Sequence, residues 1–306
     1  MATHELPAAV GVGAADSAAA SGQPGNARPG GQTALRAWAG NRQARIGLGI
    51  IVALAAFCYL GPLLYHTNQV TVELNSATLP PGAGHPLGTD GYGYDVLGRL
   101  MVGGQSSLEL GFAVAIATTV IGTVYGAIAG WAGGIVDTAM MRVIDTLLAV
   151  PGLVLLLILV NIFAPNLLMI IALLTALSWL GTARLVRGEV ISLRSREYVQ
   201  AAKALGGGSW WIIRTHLVPN AFGVIIVSAT FTIADAILTL SALSFLGLGL
   251  PPPAADWGTM LTDGLSYLFD GYWWMVYPPA IILIITVIAF NLIGEAIRDS
   301  LDVRLG

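Results

Sequence analysis

The chain has 306 residues, 56% of them hydrophobic and only 10% charged, with a formal net charge of -3. A soluble domain carries about 25% charged residues, so this composition excludes a surface covered by water and calls for one embedded in lipid. The net charge is too small to argue for nucleic acid, and no nucleic-acid partner is expected. The single cysteine, Cys58, excludes an intrachain disulfide and a cysteine-based metal site. Lying within an apolar run, it reads as a small buried hydrophobe.

Residues 1–40 are rich in Ala, Gly, Ser and Pro and contain no apolar run. Such a segment buries too little surface to offset the entropy of ordering, so a disordered cytoplasmic tail is expected there. Arg36, Arg42 and Arg45 precede the first long apolar run, as on the flank of an uncleaved anchor. A helix that crosses a bilayer needs about 20 mostly apolar residues. Six stretches qualify: 46–66, 108–130, 139–163, 167–189, 219–247 and 275–296. The predicted fold is all-α, a polytopic bundle of six transmembrane helices within residues 41–306, with Pro151 bending the third.

Lys and Arg accumulate on the cytoplasmic side of membrane proteins. With both termini cytoplasmic, all of the 14 basic residues except Arg99 fall on that side. Outside lie two longer segments. Residues 67–107 carry Glu73, Asp90 and Asp95, and residues 248–274 carry Asp256, Asp263 and Asp270, which makes the outer face acidic. His85 with Asp90 and Asp95 matches no standard metal-ligand spacing. Tyr272, Trp273, Trp274 and Tyr277 stand where the sixth span enters from outside and read as an interfacial aromatic belt.

Among the ionisable residues within the spans, three bear on the reading. Arg142 and Asp145, three apart near the cytoplasmic end of the third span, read as a local pair or as a snorkelling Arg beside an acid. Asp235 falls near the middle of the fifth, where an ionised acid costs about 2.5–3.5 kcal/mol. It is expected to face the bundle interior, as a candidate residue of a translocation path or as a hydrogen-bonded packing residue.

One long cytoplasmic loop, 190–218, holds Arg194, Arg196, Lys203 and Arg214. Arg196 to Leu205 are good helix formers, and Gly206, Gly207 and Gly208 break that helix. A second short turn, Ser209 to Leu217, is expected to end before Pro219, which has no N–H to donate. Tyr198, Ala201, Ala202 and Leu205 share one face at helical spacing, with small residues at its centre.

In this loop Gln200, Ala201 and Ala202, then Gly206, then His216, Val218 and Pro219 keep the spacing of a known pattern: Glu-Ala-Ala, three residues, Gly, nine residues, Ile, one residue, Leu-Pro. The chain thereby resembles the permease subunits of bacterial ATP-binding cassette importers, with Gln in place of Glu, His in place of Ile and Val in place of Leu. Residues 85–111, 243–261 and 289–305 look like the C-type subunit of dipeptide and oligopeptide importers. The resemblance implies a cytoplasmic-membrane permease whose coupling loop contacts separate ATPases. It also implies a second related permease, two ATPase subunits that bind ATP and Mg, an external solute-binding protein, and a peptide solute. Permeases of nickel importers are similar, so nickel or another small solute is the alternative. The only lysine, Lys203, is followed by Ala204, so no phosphate-binding G-x-x-x-x-G-K-[ST] motif is present and the chain is not expected to be an enzyme. An ion-coupled carrier would need more mid-membrane ionisable groups than Asp235. A membrane-embedded enzyme would need clustered side chains rather than scattered histidines.

Overall fold

The computed structural model describes residues 41–163 and 165–302. The predicted tail and Arg304 lie outside the described residues. Helix α1 runs Arg42–Leu64, its first turn closed by the Asn41 side chain, which accepts from the Gln43 N–H. Helix α2 is Val96–Ala132, 37 residues long. It begins at Val96 rather than at 108 because the Asp95 carboxylate accepts from the Gly98 N–H and caps the helix there.

The third span is a broken pair rather than one bent helix. Helix α3 (Gly134–Leu148) and helix α4 (Gly152–Ile162) meet at 73°. Pro151, which cannot donate, occupies the cap of α4 and separates the two. Helix α5 (Leu167–Arg194) follows, capped by Asn166. Among the described residues five stretches are each long and apolar enough to cross a membrane, or six when the broken pair is counted as one span.

Helices α2 and α5 form the spine. Lipid tails are as apolar as Leu, so helices in a bilayer associate by close packing, which small residues permit. Gly122, Gly126 and Gly130, spaced every four residues, form that face on α2. A Cβ at Gly122 would lie 2.7 Å from the Cβ of Thr182, and one at Gly126 would lie 2.9 Å from the Arg187 nitrogen. One at Gly130 would lie 2.9 Å from the Arg187 oxygen.

The cytoplasmic loop forms α6 (Glu197–Ala204) and α7 (Ser209–Ile212). The expected stop before Pro219 does not occur. Helix α7 passes through a π-helical turn, Ile213–Leu217, into α8 (Val218–Phe245), so one helical stretch runs from Ser209 to Phe245. Pro219 lies in the first turn of α8, where a missing N–H is tolerated, and the widened turn ahead of it accommodates the ring.

Helix α9 (Trp257–Leu268) has 12 residues, too short to span, and packs outside against α2, α8 and α10 (Tyr277–Asp302). Trp257 is fully buried beside Gly104 and Cys58, and its Nε1–H donates to the Leu100 carbonyl at 3.0 Å. Of the expected aromatic belt, Trp273 and Tyr277 are exposed. Trp274 is instead buried, and its Nε1–H donates to Thr89 O at 3.2 Å.

Candidate functional site

The elbow between α6 and α7 is built from the glycines. Gly206 has φ +84°, a left-handed conformation that only glycine adopts without strain. Its N–H donates to Lys203 O and that of Gly207 donates to Ala202 O, both at 3.0 Å, the paired pattern that closes a helix C-terminus. The elbow fixes which side of α6 faces inward. Val199 is buried, and Tyr198 and Ala202 pack with it against Val186, Val190, Ile212 and Leu217. Of the four residues expected on one docking face, Tyr198 and Ala202 therefore pack against the chain itself. Ala201 and Leu205 point outward with Gln200 and Gly206, and Leu205 is 89% exposed.

Trp210 and Trp211, 63% and 52% exposed, extend this apolar surface. The sequence reading passed over them, although two adjacent tryptophans in a polar loop are themselves a signal. His216 lies in the π-helical turn beneath, its ring 5.0 Å from that of Trp211 and 6.1 Å from that of Tyr198. Pro219 is exposed at the start of α8. Gln200 donates from Nε2 to the Arg194 carbonyl at 2.9 Å, a bond that a Glu carboxylate could not supply.

Within the membrane, Asp235 was expected to face the bundle interior. It is exposed, on a face of α8 that the chain's other helices leave open. Ser228, Thr232, Asp235 and Thr239 follow one another at four-, three- and four-residue steps and form a polar stripe along that helix. The hydroxyls of Thr232 and Thr239 donate back to the carbonyls of Ser228 and Asp235.

Asp145 pairs with Arg184 on α5, not with Arg142. Asp137 accepts from Arg187 through both oxygens, at 2.5 and 2.6 Å. These two pairs tie α3 to α5. The partner of Asp145 lies across the helix interface, which sequence separation does not reveal.

Outside, Arg99 is buried. Its Nη1 donates to Pro253 O at 2.8 Å, and its guanidinium lies 4.3 Å from the centre of the Tyr94 ring. Arg99 thus clips segments 67–107 and 248–274 together. Burial pushes the carboxyl of nearby Asp90 up, against the backbone N–H bonds from Tyr94 and Tyr92. Burial also raises that of Asp263, helped by the charge of Asp90. The Asp256 carboxyl is raised by burial too, while the Ser244 hydroxyl and the N–H groups of Thr259, Leu250 and Gly258 favour its charged form. His85 Nδ1 lies 3.0 Å from Asp95 Oδ2, and Asp90 stands apart from this pair, beside Arg99.

A multi-pass helical bundle with an exposed elbow between two of its long helices and a polar stripe along one of them has the architecture of a membrane transport subunit. A family profile described as "binding-protein-dependent transport system inner membrane component" matches residues 122–306, and one described as "N-terminal TM domain of oligopeptide transport permease C" matches residues 31–81. The chain belongs to this family of permeases. It is 41% identical over 274 residues to the dipeptide transport system permease protein DppC of Bacillus subtilis, covering 90% of this chain and 86% of that one. The oligopeptide transport system permease protein OppC of the same organism is 40% identical over 265 residues, 87% of each chain. OppC of Haemophilus influenzae is 37% identical over 273 residues, covering 89% of this chain and 88% of that one.

Proposed function

We propose that this chain is the membrane-spanning subunit of an importer for dipeptides or oligopeptides, driven by separate ATPases that bind ATP and Mg. The names of its relatives support the solute class. The observation that carries the mechanism is the elbow, where a glycine-closed helix presents Ala201, Leu205, Trp210 and Trp211 from a platform buried against the chain's own helices. Small and apolar side chains on a rigid mount suit close approach by a second protein. This elbow is the ATPase contact, and both termini lie on its side of the membrane.

The second surface is the stripe through Asp235. An ionised acid is expensive against lipid, so that face meets a second, related permease, and the translocation path runs between the two chains. An external solute-binding protein delivers peptide to the outer segments. ATP-driven closure of the ATPases then moves the elbows and switches the path between its outward- and inward-open states.

The test is purification of the assembled complex with and without Ala201→Trp. Ala201 is exposed, so the bulky ring leaves this chain's packing alone, whereas overlap at a close contact costs about 1–3 kcal/mol. The permease should reach the membrane in normal amount while ATPase co-purification falls by about 5- to 150-fold. Normal ATPase recovery with the variant would remove the elbow from the contact.

A further inference from the structure

Arg194, the last residue of α5, joins two elements that are distant in sequence. Its Nη1 donates to Trp131 O at 2.9 Å and approaches Gly130 O at 3.5 Å, at the C-terminal end of α2. The free carbonyls of a helix C-terminus carry partial negative charge, and a cation there is favourable. Gly133 leaves room for the guanidinium, since a Cβ there would lie 2.9 Å from Nη1. The main-chain carbonyl of Arg194 accepts from Gln200 on α6. Lys203, one turn further along α6, places its Nζ 5.7 Å from the centre of the Trp131 ring. Helix α6 therefore holds the end of α2 twice, once through Arg194 and once through Trp131. Beside this joint lies a cleft of about 500 Å³ lined by Gly130, Gly133, Gly134, Asp137, Ile191 and Ser195, room in which α6 and the elbow between α2 and α3 can move against each other.

We propose that Arg194 is a positioning residue for transport: it passes displacement of the cytoplasmic elbow to α2. The inference rests on the proposed docking of ATPases at the elbow. A push on α6 moves the Arg194 carbonyl through Gln200, and the guanidinium carries the end of α2 with it. Without the guanidinium, α6 still docks, because Ala201, Leu205 and the Val199 packing are untouched, but its movement reaches the end of α2 only through Trp131 and the packing of α5 on α2.

The experiment uses the complete importer in proteoliposomes and reads ATPase co-purification, ATP hydrolysis and labelled trialanine taken up per ATP hydrolysed. Arg194→Gln should keep the ATPases bound and hydrolysing while the trialanine moved per ATP falls by about 5- to 150-fold, the usual range of coupling between sites. Arg194→Lys, which keeps a cation at the helix end, should recover part of that loss. An unchanged ratio in Arg194→Gln overturns the proposal. So does a parallel fall of hydrolysis and uptake with the ratio preserved, which marks a merely structural role. Failure of the docking reading itself registers elsewhere, as absence of ATPases from the unsubstituted complex.

Discussion

Asp235 is an acid at mid-membrane that finds no shelter among its own chain's helices. A charge-assisted contact contributes about 1.5–3 kcal/mol. If the Asp235 carboxylate meets the amino group of a peptide, Asp235→Asn should weaken uptake of peptides with a free amino terminus by about 10- to 100-fold relative to amino-acetylated ones. Competition between the two peptide forms in uptake assays measures this, and equal loss for both would make Asp235 a packing residue. The place of this acid along its apolar run was legible in the sequence but its side was not, because the exposed face of α8 is fixed by which faces α2, α5, α9 and α10 occupy. The same blindness paired Asp145 with Arg142, its neighbour in sequence, when its partner in space is Arg184. Gly206 was legible as a helix breaker, and the structure adds why only glycine serves. A side chain at φ +84° costs about 1–2 kcal/mol whatever docks nearby, so a bulky residue at Gly206 is a poor probe of docking.

At the scale of elements, the contact between α2 and α5 depends on three glycines. Gly126→Leu forces a side chain into the Ala183 carbonyl and the backbone of Arg187. Overpacking of this kind costs about 1–3 kcal/mol, so the variant should lose thermal stability in detergent. Gly181→Ala is the control, because a Cβ at Gly181 meets nothing within 4 Å and alanine favours the helix. A Gly126→Leu protein as stable as the unsubstituted chain would show that this contact does not hold the bundle. The apolar runs made five of the long helices visible beforehand, since lipid imposes a minimum length on each, but not the break of the third stretch into two. Their ends were less visible. Asp95 starts α2 well outside the apolar run, and Pro219 fails to end α7 because a π-helical turn precedes it. Both outcomes depend on local hydrogen bonds that hydrophobicity does not encode.

For the whole molecule, orientation was read from the Lys and Arg distribution alone, and it can be tested directly. Asn75 and Ser266 are exposed in the outer segments and Ser209 is exposed at the elbow, while Cys58 is fully buried and gives a silent background. Cysteines at Asn75 and Ser266 should react in intact cells with a thiol reagent that cannot cross the membrane, and one at Ser209 should react only after the cells are opened. The reverse pattern would invert the topology. The outer segments were legible as acidic loops, but not as a packed cap. Trp257, Trp274 and Arg99 bury themselves there by bonding to distant carbonyls, and no periodicity announces such partners.

Helix α2 has 37 residues at about 1.5 Å each, a rod of about 55 Å in a hydrocarbon layer of about 30 Å. It therefore protrudes into both aqueous phases. Its inner end carries Trp131 under Lys203, and its outer end carries Arg99 beneath Pro253. Such a rod is a lever with its fulcrum in the membrane. Rotation by about 10° about its midpoint sweeps each tip through about 5 Å, close to one helical turn. A small change of angle would thus become a large displacement where the outer segments close over the bundle.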